Sequence, residues 1–307
     1  MQITILTPTL DRVSFLEEAI ESVLRQRGDF ELEYIIADGG SGPELLDMCA
    51  AWRARVQAGE FAGRCRSLRM EVRSEPDGSM YQALARGFAD SAGRVMGWIN
   101  SDDVLHPGAL DAVARMFEAH PEARWLAGVA NSLNEHGNPA GMDVFPAAYS
   151  REFLRRGLHD EKNLRWGLHW IPQDSVFWRR SLWDEAGGFP DTDLRYAGDF
   201  FLWKRFALHA DLYKARAFLG AYRAHGDQAT GDPERYRAEL PKTARPPRGY
   251  RFLYRLRQSL PGVAKGLARC GPAVRLLGLK PSWLRGPVLY WDFQRHCWEK
   301  GEQCILD

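Results

Sequence analysis

From Gln2 to Asn100 the chain repeats one pattern: a short apolar run, a polar break, then apolar residues every three or four positions. The first run, QITILT at 2–7, stops at Pro8, and Phe15, Leu16, Ile20, Val23 and Leu24 follow at helical spacing. LEYIIAD, ending at Asp38, predicts a second strand. The helix after it takes Ser41 as its N-cap, Pro43 in its first turn, and Leu45, Cys49 and Trp52 as a buried stripe. SLRMEVRSE predicts a third strand, which runs through Pro76-Asp77-Gly78 into the helix SMYQALARGFADS. RVMGWIN predicts a fourth, and Pro107 opens another helix.

Strands that alternate with helices of about 10–15 residues imply βαβ units and a mainly parallel sheet flanked by helices. Right-handed crossovers place the strand C-termini on one edge, where open α/β sheets bind ligands. Thr7, Asp38, Glu75 with Asp77, and Asn100 to Asp103 end the predicted strands. Four polar or acidic strand ends on one edge exceed what helix capping requires.

Beyond about residue 145 the segments become longer and aromatic, as in WGLHWIPQDSVFWRRSLW and RYAGDFFLWKRFALH. In the latter Phe200, Trp203, Phe206 and Ala207 share a helix face, and Asp199 lies in the first turn. PKTARPPRGY at 241–250 predicts a linker. The remainder is interrupted by Pro261, Pro272, Pro281 and Pro287, and reads as basic and amphipathic rather than one long helix. The chain thus divides into a domain at 1–240, with halves 1–105 and 106–240, and a C-terminal extension at 241–307.

Composition adjusts this picture in three places. With 307 residues, 45% hydrophobic and 26% charged, the chain is globular. A formal charge of +1 predicts no general affinity for nucleic acid, yet eleven Lys or Arg and no Asp or Glu lie between Lys242 and Arg285. Cys49, Cys65, Cys270, Cys297 and Cys304 form no CxxC pair or zinc spacing, and read as reduced thiols of a cytoplasmic protein. MQITILTPTL is not a signal peptide, and no apolar run nears the roughly 20 residues that span a bilayer. Any membrane contact is therefore expected from the surface.

In GWINSDD an apolar strand meets two adjacent carboxylates, Asp102 and Asp103. Either they cap the helix near Pro107, or they hold a divalent cation, Mn²⁺ or Mg²⁺, with a diphosphate completing its shell. Asp38, before Gly39-Gly40-Ser41-Gly42, is a turn residue or a hydrogen-bond acceptor for a base or ribose; the glycines match neither GxGxxG nor a Walker loop. Asp199 caps its helix or acts as a general base among aromatic walls. His225 is a metal ligand, a phosphate contact or a loop histidine.

Taken together, ITILTPTLDRVSFLEEAIESVLRQ, YIIADGGSGP, SEPDGSMYQALARGF, GWINSDDVLHPGAL, IPQDSVFWRRSLWDEAGGF and LRYAGDFFLWKRFA resemble family 2 glycosyltransferases of the GT-A fold, over roughly residues 2–228. The resemblance implies inverting transfer from a nucleotide-sugar, a UDP-sugar being favoured, to a glycan or lipid-linked acceptor. Thr7, Pro8, Asp11, Asp38 and Asp77 would surround the nucleoside. Asn100-Ser101-Asp102 would be the DxD-type motif, with Asp102 and His225 toward the metal. Asp199 would be the base, and Gln173, Asp174 and Trp203 would lie near acceptor or transferred sugar.

The sequence departs from the family pattern at Asn100, Gln82 and Ala85, and lacks the QxxRW motif of processive synthases. A single-addition enzyme is expected, with a nucleotidyltransferase or a non-catalytic sugar- or lipid-binding scaffold as alternatives. Trp166 to Trp183 could form a lid or an acceptor groove. The basic segment from 245 to 291, with Tyr250, Phe252, Tyr254, Trp283, Tyr290 and Trp291, could dock on an anionic membrane.

Overall fold

The structure, a computed structural model, describes residues 1–143, 146–189, 192–226, 233–241 and 244–307. The predicted first half is present. Strands β1 (Gln2–Thr9), β2 (Glu31–Asp38), β3 (Ser67–Ser74) and β4 (Val95–Trp98) alternate with helices α1 (Leu16–Leu24), α2 (Pro43–Gln57) and α3 (Met80–Ala89). The ladders β1–β2, β2–β3 and β1–β4 are parallel. Their register puts Thr9, Asp38 and Ser74 side by side at one edge. Buried on both faces, β1 and β2 are nearly continuous apolar runs, as central parallel strands require.

After β4 the chain crosses the motif 100–103 and enters β5 (Val104–Leu105) and α4 (Ala109–Ala119). Next come β6 (Trp125–Ala127), β7 (Ala130–Leu133), β8 (Pro139–Asp143), α5 (Arg151–Arg155), β9 (Val176–Arg179) and α6 (Arg180–Ala186). Then follow α7 (Gly198–His209), β10 (Leu212–Ala215), β11 (Gly220–Arg223) and α8 (Pro233–Glu239). Among the described residues, nine strands form one sheet in the order β13-β12-β10-β6-β9-β4-β1-β2-β3, where β12 is Arg285–Asp292 and β13 is Cys297–Cys304. The sheet is mainly parallel: β9 runs against β4 and β6, and edge strand β13 against β12. A second sheet, β5-β11-β7-β8, stands beyond the motif.

The C-terminal segment differs from the expected extension. Part of the predicted linker is helical, since α9 (Arg248–Ser259) begins inside it, while Lys242 and Thr243 lie outside the described residues. With α10 (Pro261–Arg269) and α11 (Gly271–Leu276), it shares a core with Phe153, Leu158 and Leu168. The chain then returns to the main sheet, where Val288 and Leu289 pair with Lys214 and Ala215 of β10. Tyr250, expected as a membrane anchor, is 1% exposed and donates its hydroxyl to the Trp166 carbonyl at 2.9 Å.

The tryptophan-rich segment is mostly core as well. Trp178 is fully buried and Trp166 and Trp183 nearly so; Trp170 alone of that run is well exposed. Trp98, Trp125, Trp178, Trp183 and Trp203 contact one another through rings 5.6–6.0 Å apart. Trp203, expected near the acceptor, stacks between Trp98 and Trp125 and is 3% exposed, so it packs in the core, and it also lines the cleft at Asp199.

Candidate active site

The loops after β1, β2 and β3 meet at the sheet edge. Asp38 is 1% exposed and spends its carboxylate on its own turn. It accepts from the N–H groups of Gly40 (3.2 Å) and Ser41 (3.0 Å), and from the hydroxyls of Ser74 (2.6 Å) and Ser41. The Ser41 oxygen in turn accepts from Asp11 N–H at 2.7 Å, where Asp11 takes a left-handed backbone with φ 51°. Ser41 therefore braces Asp38, and the N-cap of α2 is Gly42, contrary to the sequence reading. Pro8 is buried within β1, and Thr7 is buried with its hydroxyl 3.0 Å from the Tyr34 hydroxyl. The unpaired hydroxyl at this edge is Thr9 Oγ1, which a strand predicted to end at Thr7 passes over.

Asp77 closes over the same turn. A Cβ at Gly39 would lie 2.9 Å from Asp77 Oδ2, so any larger residue there would push the Asp77 carboxylate from its place over the turn. Burial raises the Asp77 pKa; Arg86, 3.9 Å away, opposes the rise and Asp38 adds to it.

The motif at 100–103 is the junction between the two sheets, and its two aspartates separate in role. Asp103 is 1% exposed and accepts the backbone N–H of Arg223 at 2.8 Å and the Asn100 amide at 3.0 Å. Burial, then Asp102 and Asp174, push its pKa well up. Asn100 also donates to Gln173 Oε1 at 3.0 Å, while Gln173 donates to the Trp98 carbonyl at 2.8 Å. Residues 73 apart in sequence are thus brought together, and Asn100 Oδ1 is left without a partner. Ser101 is 6% exposed. Asp174 is buried and lifted to about 6 by burial, with the Ser175 hydroxyl opposing.

Asp102 points the other way. Its Oδ2 lies 3.0 Å from His225 Nε2 and 3.4 Å from Arg12. β11 makes this possible, because Arg223 at its end bonds the Asp102 carbonyl (2.9 Å) and Glu18 (2.6 Å) and lies over the Phe15 ring. Phe15 itself holds a left-handed backbone (φ 67°) and packs on His225 with ring centroids 5.0 Å apart. Among the described residues no group of three or more His, Cys, Asp or Glu side chains is placed to hold a metal. Asp102 and His225 nevertheless present one oxygen and one imidazole nitrogen at a common point. That pair suits a divalent cation whose remaining ligands come from a diphosphate and water.

Asp199 lies apart from the motif, in the first turn of α7. It lines a cleft walled by Leu154, His159, Trp170, Ile171, Phe200, Trp203, Lys204 and Tyr236. Its Oδ1 is buried and accepts no hydrogen bond. Burial lifts its pKa from 3.8 to about 6; the Phe200 N–H at the helix start opposes the rise, and the Glu239 carboxylate adds to it. His159 donates its Nδ1–H to the His169 carbonyl at 2.9 Å, which leaves Nε2 without a partner. Beneath the turn lies Tyr81 of α3, whose ring a Cβ at Gly198 would meet at 2.7 Å. The first turn of α3, directly after the Asp77 loop, thus forms the floor of the Asp199 turn.

The mainly parallel sheet flanked by helices is a GT-A fold, and the class of protein is a glycosyltransferase. The chain belongs to glycosyl transferase family 2, whose family model matches residues 4–180. It is 26% identical over 259 residues to an uncharacterized glycosyltransferase of Mycobacterium tuberculosis, covering 81% of this chain and 86% of that protein. It is 30% identical over 155 residues to the O-antigen biosynthesis protein RfbC of Myxococcus xanthus, covering 50% of this chain and 11% of that protein. In fold it is similar to S. aureus TarS 1-349 at a TM-score of 0.52 and 15% identity, covering 73% of this chain and 60% of that chain. The same protein in complex with UDP-GlcNAc matches at a TM-score of 0.51 and 14% identity, covering 81% and 63%.

Proposed function

We propose that this protein adds a single sugar, with inversion, from a UDP-sugar to a hydroxyl of a glycan or lipid-linked acceptor in cell-surface polysaccharide synthesis. The observation that carries the mechanism is the Asp199 carboxylate, buried with its Oδ1 free of any hydrogen bond and lifted to about 6 in a largely apolar cleft. A carboxylate with that pKa is ionised at neutral pH and a stronger base than an exposed one, as proton abstraction from an attacking hydroxyl demands. Asp199 takes the acceptor proton while the oxygen attacks the anomeric carbon from the face opposite the diphosphate.

On the donor side, Thr9, Asp11, Asp77 and the Asp38 turn surround the nucleoside, with Asn100 Oδ1 toward the ribose. Asp102 and His225 would hold Mn²⁺ or Mg²⁺, which when bound neutralises charge building on the leaving diphosphate. Arg12 adds a fixed positive charge 3.4 Å from Asp102. Gln173 orients Asn100, and the apolar walls of the Asp199 cleft limit access of water to the donor.

The reading also includes docking on an anionic membrane surface through the C-terminal helices. Phe252, Leu260, Val263 and Leu276 are exposed there among Arg248, Arg255, Lys265, Arg269, Arg275 and Lys280. No helix of the described residues is long and apolar enough to cross a membrane. Not every one of these charges is available: Lys265 and Arg269 pair with Asp307, and Arg255 lies over the Trp166 ring.

The decisive variant is Asp199→Asn. Turnover of UDP-sugars should fall by about 10²-fold or more, with UDP affinity retained within about twofold. Full transfer by this variant would remove Asp199 as the base.

A further inference from the structure

Glu239 ends α8, in a charged stretch whose sequence marks it for no role. Its carboxylate accepts three backbone N–H groups in a row: Arg195 at 2.8 Å, Tyr196 at 2.9 Å and Ala197 at 2.8 Å. Successive N–H groups that converge on one anion form a concave anion seat, and bonds to an ionised acceptor are about twice as strong as neutral ones. The seat is the turn that leads into α7, where Ala197 is the N-cap and Asp199 follows two residues later.

The contact is sealed from two sides. Leu240 packs with Ala197 and Phe200, and Arg235 donates to the Tyr196 hydroxyl at 3.1 Å. From below, the Tyr81 hydroxyl donates to the Tyr196 carbonyl at 3.2 Å, with its ring against Gly198. Among the described residues it is Glu239 that accepts the N–H groups of that turn, and it does so with both carboxylate oxygens.

Resting on the reading of Asp199 as the base, we propose that Glu239 is a positioning residue: it fixes the 195–197 turn and so the place of the Asp199 carboxyl against the acceptor hydroxyl. An error of about 1 Å in such placement costs on the order of 10²-fold in rate. Glutamine cannot replace it, because its amide nitrogen donates where a second oxygen must accept, so at least one of the three bonds is lost. Charge matters as well. The groups around Asp199 are Lys204 of its own helix, His159 from the loop after α5, Tyr81 of α3, and Tyr236 and Glu239 of α8. Of these Glu239 is the anion, and removing it lets the Asp199 pKa fall.

The test compares full-length wild type, Glu239→Gln, Glu239→Asp and Asp199→Asn. Three readouts are taken: amide exchange at 195–197; the Asp199 side-chain carbon titration, assigned by its loss in Asp199→Asn; and UDP release from UDP-GlcNAc and UDP-glucose with Mn²⁺. In Glu239→Gln, exchange at the three amides should rise about tenfold or more. The Asp199 midpoint should move down. Turnover should fall about tenfold with the donor KM within about twofold, a split expected of lost positioning.

Wild-type protection, titration and turnover in Glu239→Gln, beside an inactive Asp199→Asn, would overturn the Glu239 role alone. Wild-type turnover in Asp199→Asn would instead sink the base assignment. If neither donor is turned over, exchange and titration decide. If Glu239→Gln does not fold, Glu239→Asp, which draws the charge back from the turn, should show the same changes in smaller measure, and wild-type values there would overturn the proposal.

Discussion

Burial lifts the Asp199 carboxyl from 3.8 to about 6, and the shift acts on rate and on stability in opposite senses. Turnover needs the ionised form, so kcat should fall as pH drops through about 6. Stability runs the other way. Between 3.8 and about 6 the folded state holds a proton that the unfolded chain has released, so stability decreases as pH rises through this window. The penalty is absent below it and complete above it, about 3 kcal/mol. Asp199→Asn should therefore raise Tm by a few degrees at pH 8, with the gain shrinking as pH approaches 4. Melting curves at the two pH values check this, and a lower Tm at pH 8 would contradict the net cost of burying the carboxylate.

Also at the residue scale, Asp102→Asn and His225→Ala should each reduce the gain in UDP affinity that Mn²⁺ confers, by about tenfold or more for Asp102. Titration calorimetry with and without Mn²⁺ reads it, and an undiminished gain in both variants would take the cation away from this pair. Asp102 and Asp199 were legible because a charged side chain at a strand end or helix start stands out against an apolar pattern. Glu239, Arg223 and Phe15 were not. They act through backbone groups and ring faces supplied by segments far away in sequence, and nothing local distinguishes them from solvated or core residues. Asp38 was legible as a turn residue, while only coordinates reveal that its carboxylate is already occupied.

At the scale of elements, the hairpin of β12 and β13 is where sequence and structure part most. Apolar period reveals that a strand exists but not which way it runs, so antiparallel β9 could not be told from its parallel neighbours. Pro287 and the charges of β13 made the last segment read as an extension. Pro287 stands opposite Glu302 in the ladder with β13, while β10 pairs with β12 only at Val288 and Leu289, so the β10 ladder does not call on its missing N–H. Removing residues 285–307 would bare the edge of β10 and strip Val288, Cys304, Ile305 and Leu306 from the core around Tyr250. Such a truncation should be insoluble or melt at least about 10 °C lower, losing several buried side chains at about 1.5–3 kcal/mol each. A soluble, active protein lacking 285–307 would show the hairpin to be dispensable.

At the scale of the whole molecule, that integration means membrane docking has to be probed by charge rather than by deletion. The triple variant Arg248→Glu, Arg275→Glu, Lys280→Glu alters residues exposed on the C-terminal helices. It should shift binding to phosphatidylserine vesicles by about tenfold or more, each basic residue near an anionic surface contributing about 1 kcal/mol. Turnover of soluble substrates should be unchanged. Equal sedimentation of variant and wild type with those vesicles at low salt would remove the membrane from the proposed function.

The indole stack has an optical consequence. Trp98 closes the strand that delivers the 100–103 motif, and Trp203 stands one turn beyond Asp199; their rings stack 5.6 Å apart at 16°. With Trp125, Trp178 and Trp183 in contact, these chromophores are close enough to share excitation, and their near-ultraviolet circular dichroism should carry coupled bands of opposite sign. Any shift of α7 relative to β4 changes that coupling. The protein therefore carries a label-free reporter where α7 meets β4, readable while nucleotide is added.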